Sequence, residues 1–404
     1  MNFQDTPEEA GFRAGVRAWL DQHAPGYVVP AGPKPPHAKH IRNAKAWQAL
    51  KAGAGFVGIV WPKAVGGQGG TPIQQVIFQQ EEQRYRLPTG VFSIGLGMCL
   101  PTLFTHGAPE LAARYVPPAM RGDEIWCQLF SEPAGGSDVA AARTRAVRVA
   151  GKEGGDDEWV INGQKVWTSG AKDCDYGLLL ARTDPSVPKH AGLTMFFIDM
   201  RDPAVEVRPI KSMPGESEFN EVFFTDLRIS DRQRLGAPGA GWKVSLTTLM
   251  FERLAVGGRP ATAPSLDDLM GLMRQSGVEP EHHAQTLARF YLNDQGIALT
   301  RLRLMTALSR GQVPGPEASI SKLVVAKNLQ EMAGFAQELA ANAAMDFDEA
   351  SPLHGFTQWQ MWSAGLRIAG GTDEILRNII AERVLGLPPE VRLDKDTPYN
   401  QLQA

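Results

Sequence analysis

The chain has 404 residues, of which 43% are hydrophobic and 21% charged, with a formal net charge of −3. That balance suits a folded protein of two or three domains and excludes a disordered chain. No run of Lys or Arg is long enough to track a nucleic acid or an anionic membrane surface.

The first residues, MNFQDTPEEAGFRAGV, are acidic and lack the apolar core of a signal peptide. Thr6, Pro7, Glu8 and Glu9 spell a capping box with Pro in the first turn. Pro30, Pro33, Pro35 and Pro36 mark a surface connection, and Gly66, Gly67, Gln68, Gly69 and Gly70 a flexible loop. Thr71 and Pro72 open a second helix, IQQVIFQQEEQRYR, with Ile73, Val76 and Ile77 at helical spacing. From about 126 to 236 the period shortens to that of strands, in runs at 146–149, 176–181, 193–198, 205–209 and 221–224. Two further runs, 159–161 and 164–167, flank Asn162 and Gly163, the pair favoured in a tight hairpin turn. From Gly241 the helical period returns, with stripes at Leu287, Phe290 and Tyr291, at Ile320, Leu323, Val324 and Lys327, and at Leu376, Ile379, Ile380 and Val384.

The expected fold is therefore α+β. A helical domain at 1–125 precedes an antiparallel β-barrel or sandwich at 126–236, and a four-helix bundle occupies 237–404. No GxGxxG run follows a strand, which argues against a Rossmann fold. Cys99, Cys127 and Cys174 are odd in number and far apart, which excludes a disulfide framework and a structural zinc site and suits a reducing cytoplasm. No stretch reaches the roughly 20 apolar residues of a membrane helix. A cytoplasmic protein without metal or membrane insertion is expected.

The most informative segment runs from Trp126 to Ser169. It reads WCQLFSEPAGGSDVAAARTRAV, then a spacer, then EWVINGQKVWTS. It resembles the signature of the acyl-CoA dehydrogenase family, in which Thr/Ser-Glu-Pro-x-x-Gly-Ser-Asp precedes Ile-Asn-Gly-x-Lys and Trp-x-Thr/Ser. Gly239-Ala240-Gly241-Trp242 with Glu252-Arg253, and Gly370-Gly371-Thr372-Asp373-Glu374 with ILRNIIAERVLGLP, extend the resemblance along the chain. The resemblance implies an enzyme that binds FAD and oxidises an acyl-CoA to its α,β-enoyl form. An electron-transfer flavoprotein would be the acceptor, and the assembly a homotetramer or heterotetramer.

The residue types suit that chemistry. A flavin needs hydrogen-bond donors at its pyrimidine edge and a flat apolar wall. Gln128, Phe130 and Ser131 offer backbone amides and a hydroxyl, Trp167 a wall, and Ser169 a hydroxyl for N5. Ala134, Gly135 and Gly136 let a phosphate-bearing chain approach the backbone, and Ser137 adds a donor. The resemblance sets Ser137 beside both cofactor and CoA chain, and Thr372 and Glu374 at the cofactor.

The reaction needs a carboxylate at the thioester α-carbon, its pKa raised by burial. Many family members carry it as Glu in a Glu-Gly-Thr run, where this chain has Gly370. Other branches place it in a Glu-Arg pair on the first bundle helix. Here Glu252 follows Leu249, Met250 and Phe251, a run that points to an inward face. Glu252 is the expected base, Arg253 would hold its orientation or line the site, and the resemblance implies that the Gly370 amide polarises the thioester carbonyl. The family's Arg-x-x-Phe-Gly run, which grips the pyrophosphate, is missing, and Arg289 is its candidate substitute. Two alternatives stay open: a partner subunit with an incomplete site, or an oxidase or monooxygenase on the same fold. Acyl chain length, branching and ring substituents also stay open.

Overall fold

A computed structural model describes residues 5–29, 35–151, 157–256, 260, 263–310, 315–340, 348, 351–392 and 394–402, apart from the side chains of 252–256, 305, 308 and 309. Among them, the elements α1 (Pro7–His23), α2 (His37–Gly53), α3 (Pro72–Glu82), α4 (Leu100–His106) and α5 (Pro109–Arg121) come first. The strands are β1 (Trp126–Leu129), β2 (Arg145–Val149), β3 (Glu158–Ser169), β4 (Tyr176–Arg182), β5 (Leu193–Asp199), β6 (Val205–Ile210), β7 (Phe219–Ser230) and β8 (Arg234–Leu235). Then come α6 (Gly241–Val256), α7 (Leu266–Gln275), α8 (Ala284–Ser309), α9 (Ala318–Ala340), α10 (His354–Leu366) and α11 (Asp373–Arg383). Packing groups the chain into two units that cut across the three stretches of period. One is 44–68, 89–252 and 390–404; the other is 1–43, 69–88 and 253–389.

In the first unit eight strands form one mostly antiparallel sheet in the order β6-β7-β3-β2-β4-β5-β8, with β1 parallel to β4. Strands from both halves of this order share a core. Trp159 of β3 meets Phe196 of β5 with ring centroids 5.2 Å apart, among Ile161, Leu179, Ile198, Val222 and Phe224. The opposite face of β4 and β5 packs on α4 and α5 through Leu178, Leu180, Met195 and Phe197. Asn162 and Gly163 do not turn the chain. They sit inside the twelve-residue β3, where pairing with β7 shifts register between Ile161 and Gly163. Asn162 bonds Asp226 in both directions, and Asp226 takes a φ of 52°. Gly163 lies so close to β2 that a Cβ would stand 2.7 Å from Thr144 Cα. The extra residue lies on β7, where Thr225 and Asp226 face Asn162 alone, so the Asn-Gly pair sits opposite a bulge rather than in a turn.

The expected loop at 66–70 is pinned where it belongs to this unit. Gly67 is buried with its N–H on Pro62 O, and a Cβ there would lie 2.3 Å from Trp61 O. Helix α6 is seated by Thr248 on Thr102 and by Thr247 on His106, each at 2.9 Å. Its apolar run does not make a single inward face: Leu249 packs on the core while Met250 is 38% exposed.

In the second unit α1 starts at the capping box read at Thr6, and α3 starts at Thr71 as expected, where Gln74 completes a second box. Helix α3 stops at Glu82, short of the expected Arg86, whose carbonyl accepts from Val29 N instead. Helices α1 and α3 are joined through buried Glu81, which accepts from Arg13 and Arg17. Helix α9 is the hub of the helical domain, touching α7, α8, α10 and α11; α8 to α11 supply the expected four-helix set, with α7 beside it. The buried face of α9 is Val325, Ala326, Leu329, Met332, Ala333 and Ala336, rotated from the expected stripe, and it also buries Lys322 and Asn328. No helix among the described residues is long and apolar enough to cross a membrane.

Candidate active site

The signature segment folds into one face of the β unit. Strand β1 pairs with β4 as far as Leu129; beyond it Val166 N donates to Ser131 O at 2.9 Å, bringing the end of β1 against β3. The amides of Phe130 and Ser131 find no backbone acceptor among the described residues. Gln128 and Ser131 are half-buried and Phe130 is buried.

Trp167 stands beside them on a second irregularity of β3, a register shift between Lys165 and Thr168. Its φ is 58°, a left-handed conformation that bulky residues avoid, and its side chain is 59% exposed, edge-on to Phe219. Lys165, Val166 and Thr168 around it are buried. The backbone thus turns one large aromatic ring outward at a conformational cost of order 1–3 kcal/mol. Ser169 closes the strand, half-buried and paired with Phe219. Nearby, Thr168 Oγ1 and Asn220 Oδ1 are buried without a partner among the described residues.

Beneath this face lies a buried ion pair that sequence reasoning missed. Lys165 Nζ donates to Glu132 Oε1 at 2.7 Å and to Phe130 O at 3.0 Å. Glu132 also accepts from the amides of Arg143 (2.6 Å) and Thr144 (2.9 Å). Burial alone would raise the Glu132 pKa, but Lys165 and these donors outweigh it and hold the carboxyl below its usual range. Complete burial pulls the Lys165 ammonium down although Glu132 opposes it. With two acceptors in reach, the pair is read as charged. A signal was available: period two from Trp159 through Ile161 carries Lys165 to the inner face.

The small-residue loop follows. Glu132 and Gly135 exchange backbone bonds of 3.0 Å, while Gly136 and Ser137 are exposed and a Cβ on Gly136 would meet nothing within 4 Å. The amides of Phe130 and Ser131 and the outward indole fit the edge and wall of a flavin, and the open backbone admits a phosphate-bearing chain.

In the helical unit, the predicted residues cluster on the turn from Arg367 to Glu374. Gly370 and Gly371 are left-handed at φ 67° and 93°, and neither amide has a backbone acceptor among the described residues. Lys322 Nζ, missed in the sequence, donates to Gly371 O at 2.6 Å. Arg367 forks onto Asp373 Oδ2 at 2.7 and 2.5 Å, and Thr372 caps α11 by accepting from Ile375 N. Glu374 is exposed on the first turn of α11. Arg289 is not among them: it lies on the surface of α8, 3.7 Å from Glu331 and over the Phe290 ring. Glu252 and Arg253 lie on α6, but their side chains fall outside the described residues.

The chain matches the N-terminal, middle and C-terminal models of the acyl-CoA dehydrogenases at residues 6–123, 127–227 and 239–385. It is 36% identical to acyl-CoA dehydrogenase IpdE1 of Mycolicibacterium smegmatis, covering 94% of this chain and 98% of that one. It is 37% identical to acyl-CoA dehydrogenase FadE34 of Mycobacterium tuberculosis over 84% of this chain and 46% of the longer relative. Among solved structures it superposes on the Tcur3481-Tcur3483 steroid ACAD (TM-score 0.80, 25% identity, 96% and 100% covered). It does so too on the ChsE4-ChsE5 complex from Mycobacterium tuberculosis (TM-score 0.77, 25% identity, 96% and 100% covered). The chain belongs to the acyl-CoA dehydrogenase family of oxidoreductases.

Proposed function

We propose that the chain is an FAD-dependent acyl-CoA dehydrogenase that converts an acyl-CoA thioester to the trans-2-enoyl-CoA. The observation that carries this reading is Trp167, held outward on a left-handed backbone near two amides without a backbone acceptor among the described residues. Bound FAD would supply the acceptor for the β-hydride. Gln128, Phe130 and Ser131 would donate hydrogen bonds to its edge, Trp167 would cover one ring face, and Ser169 would donate toward its centre. Thr372, Glu374 and Arg289 would reach its remote parts. Ser137 would meet both cofactor and CoA chain, and Arg253 would line the acyl pocket. Glu252 takes the α-proton, and the Gly370 amide donates to the thioester oxygen, stabilising the charge that develops there. In this reading the domains are 1–125, 126–236 and 237–404, the enzyme works as a cytoplasmic tetramer, and an electron-transfer flavoprotein collects the electrons.

Gly370 carries no side chain where related enzymes carry the base. Similarity to a steroid dehydrogenase supports a ring-bearing acyl-CoA as the first substrate to test. The test is anaerobic titration of the purified yellow protein with straight-chain, branched and steroid-side-chain CoA thioesters, read as bleaching of the flavin band. Bleaching is expected; a flavin indifferent to every thioester refutes the reaction.

A second reading, a chain that completes its cofactor site only with a different partner chain, draws on two facts. Arg289 is already engaged with Glu331 and Phe290, and one similar structure is a two-protein complex. Under it the chain purified alone is colourless and gains flavin only on mixing with the partner.

A further inference from the structure

The end of the chain returns to the β unit. Tyr399 N and Asn400 N donate to Val187 O and Pro185 O, each at 2.9 Å, and Pro398 bridges Pro188. What Tyr399 then does is specific. Three successive carbonyls after Ser137 are each taken: Ala140 O by Arg182 Nη2 (2.5 Å), Ala141 O by the Tyr399 hydroxyl (3.0 Å) and Ala142 O by Arg182 Nε (3.3 Å). The Tyr399 ring covers the guanidinium at 3.8 Å, and Arg182 is only 3% exposed. Lys189 adds a bond to Asp138 at 2.7 Å and lies 3.5 Å from Asp394. The fixings stop at Asp138. Immediately before it, Gly136 and Ser137 stay exposed.

We propose that residues 394–402 form a strap in which Tyr399 and Arg182 act as positioning residues. They hold the 135–142 loop so that Ser137 and the Gly136 backbone receive the phosphate-bearing chain of a coenzyme A thioester. The ligand half rests on the role given to Ser137 above. The strap half stands on the geometry alone.

The test uses the full-length protein and Tyr399→Phe, which removes one hydroxyl donor and keeps the ring over Arg182. Amide hydrogen exchange is read at 135–142, with β6 as internal control, and coenzyme A itself is titrated calorimetrically. Loss of one hydrogen bond predicts exchange faster by about fivefold in the loop alone, and a Kd for coenzyme A raised by about the same factor. Tyr399→Ala should enlarge both effects. Unchanged exchange in Tyr399→Phe overturns the strap, even where acyl-CoA still bleaches the flavin. Faster exchange with an unchanged Kd, or no coenzyme A binding by the wild type, overturns the ligand assignment.

Discussion

Trp167 and the Glu132–Lys165 pair show how single residues carry the β face. Because Trp167 adopts a left-handed φ, Trp167→Gly relieves strain while deleting the proposed flavin wall. The flavin-free variant should stay within about 1 kcal/mol of the parent by denaturant titration, while flavin affinity falls at least tenfold, or about 1.4 kcal/mol. A variant that keeps its flavin contradicts the role of the ring. Lys165→Met leaves a buried carboxylate without its cation and should cost about 3–5 kcal/mol. Adding Glu132→Leu should recover much of the loss. The sign with pH follows from the lowered Glu132 pKa: the pair stabilises above the ordinary glutamate value of about 4.3, and its contribution is lost as pH falls through the lowered folded value. Lys165 was legible only by strand alternation, and its partner not at all, since nothing in a sequence reports which buried charges meet.

Elements were legible where local chemistry is unambiguous. The capping boxes at Thr6 and Thr71 name their helices because side chain and amide sit within one turn. Asn162-Gly163 misled because the same pair suits a hairpin turn and a strand position opposite a bulge; only the long-range pairing with β7 separates them. The face of α9 was rotated because it is covered by four helices and buries polar residues that hydrophobic counting ignores. The α1–α3 joint gives an element-scale prediction. Arg17 first, then Arg13 and Arg84, pull the Glu81 pKa down to about 2 against its burial. Its stabilisation, on the order of 2–3 kcal/mol, is present above about pH 4.3 and lost as pH falls toward 2. Glu81→Gln should therefore lower stability at pH 7 and flatten the acid limb of the stability profile, as read by urea midpoints.

For the whole molecule, the order helices, strands, helices could be read from period alone, and the family from three separated motifs. The packing could not. The N-terminal helices α1 and α3 share a unit with the C-terminal helices, and the last residues rejoin the β unit through Tyr399, contacts that span most of the chain. The candidate cofactor residues could be proposed together because they lie close in sequence and share a motif. The proposed base rests on the family resemblance, from a glycine at 370 and a Glu-Arg pair on α6 whose side chains lie outside the described residues.

The most direct measurement is rapid anaerobic mixing of a thioester that bleaches the wild-type flavin with Glu252→Gln. With general-base catalysis worth typically 10²–10⁴-fold, the account predicts bleaching at least about a hundredfold slower in the variant, with flavin still bound. Bleaching at the parent rate in Glu252→Gln would contradict the placing of the base on α6.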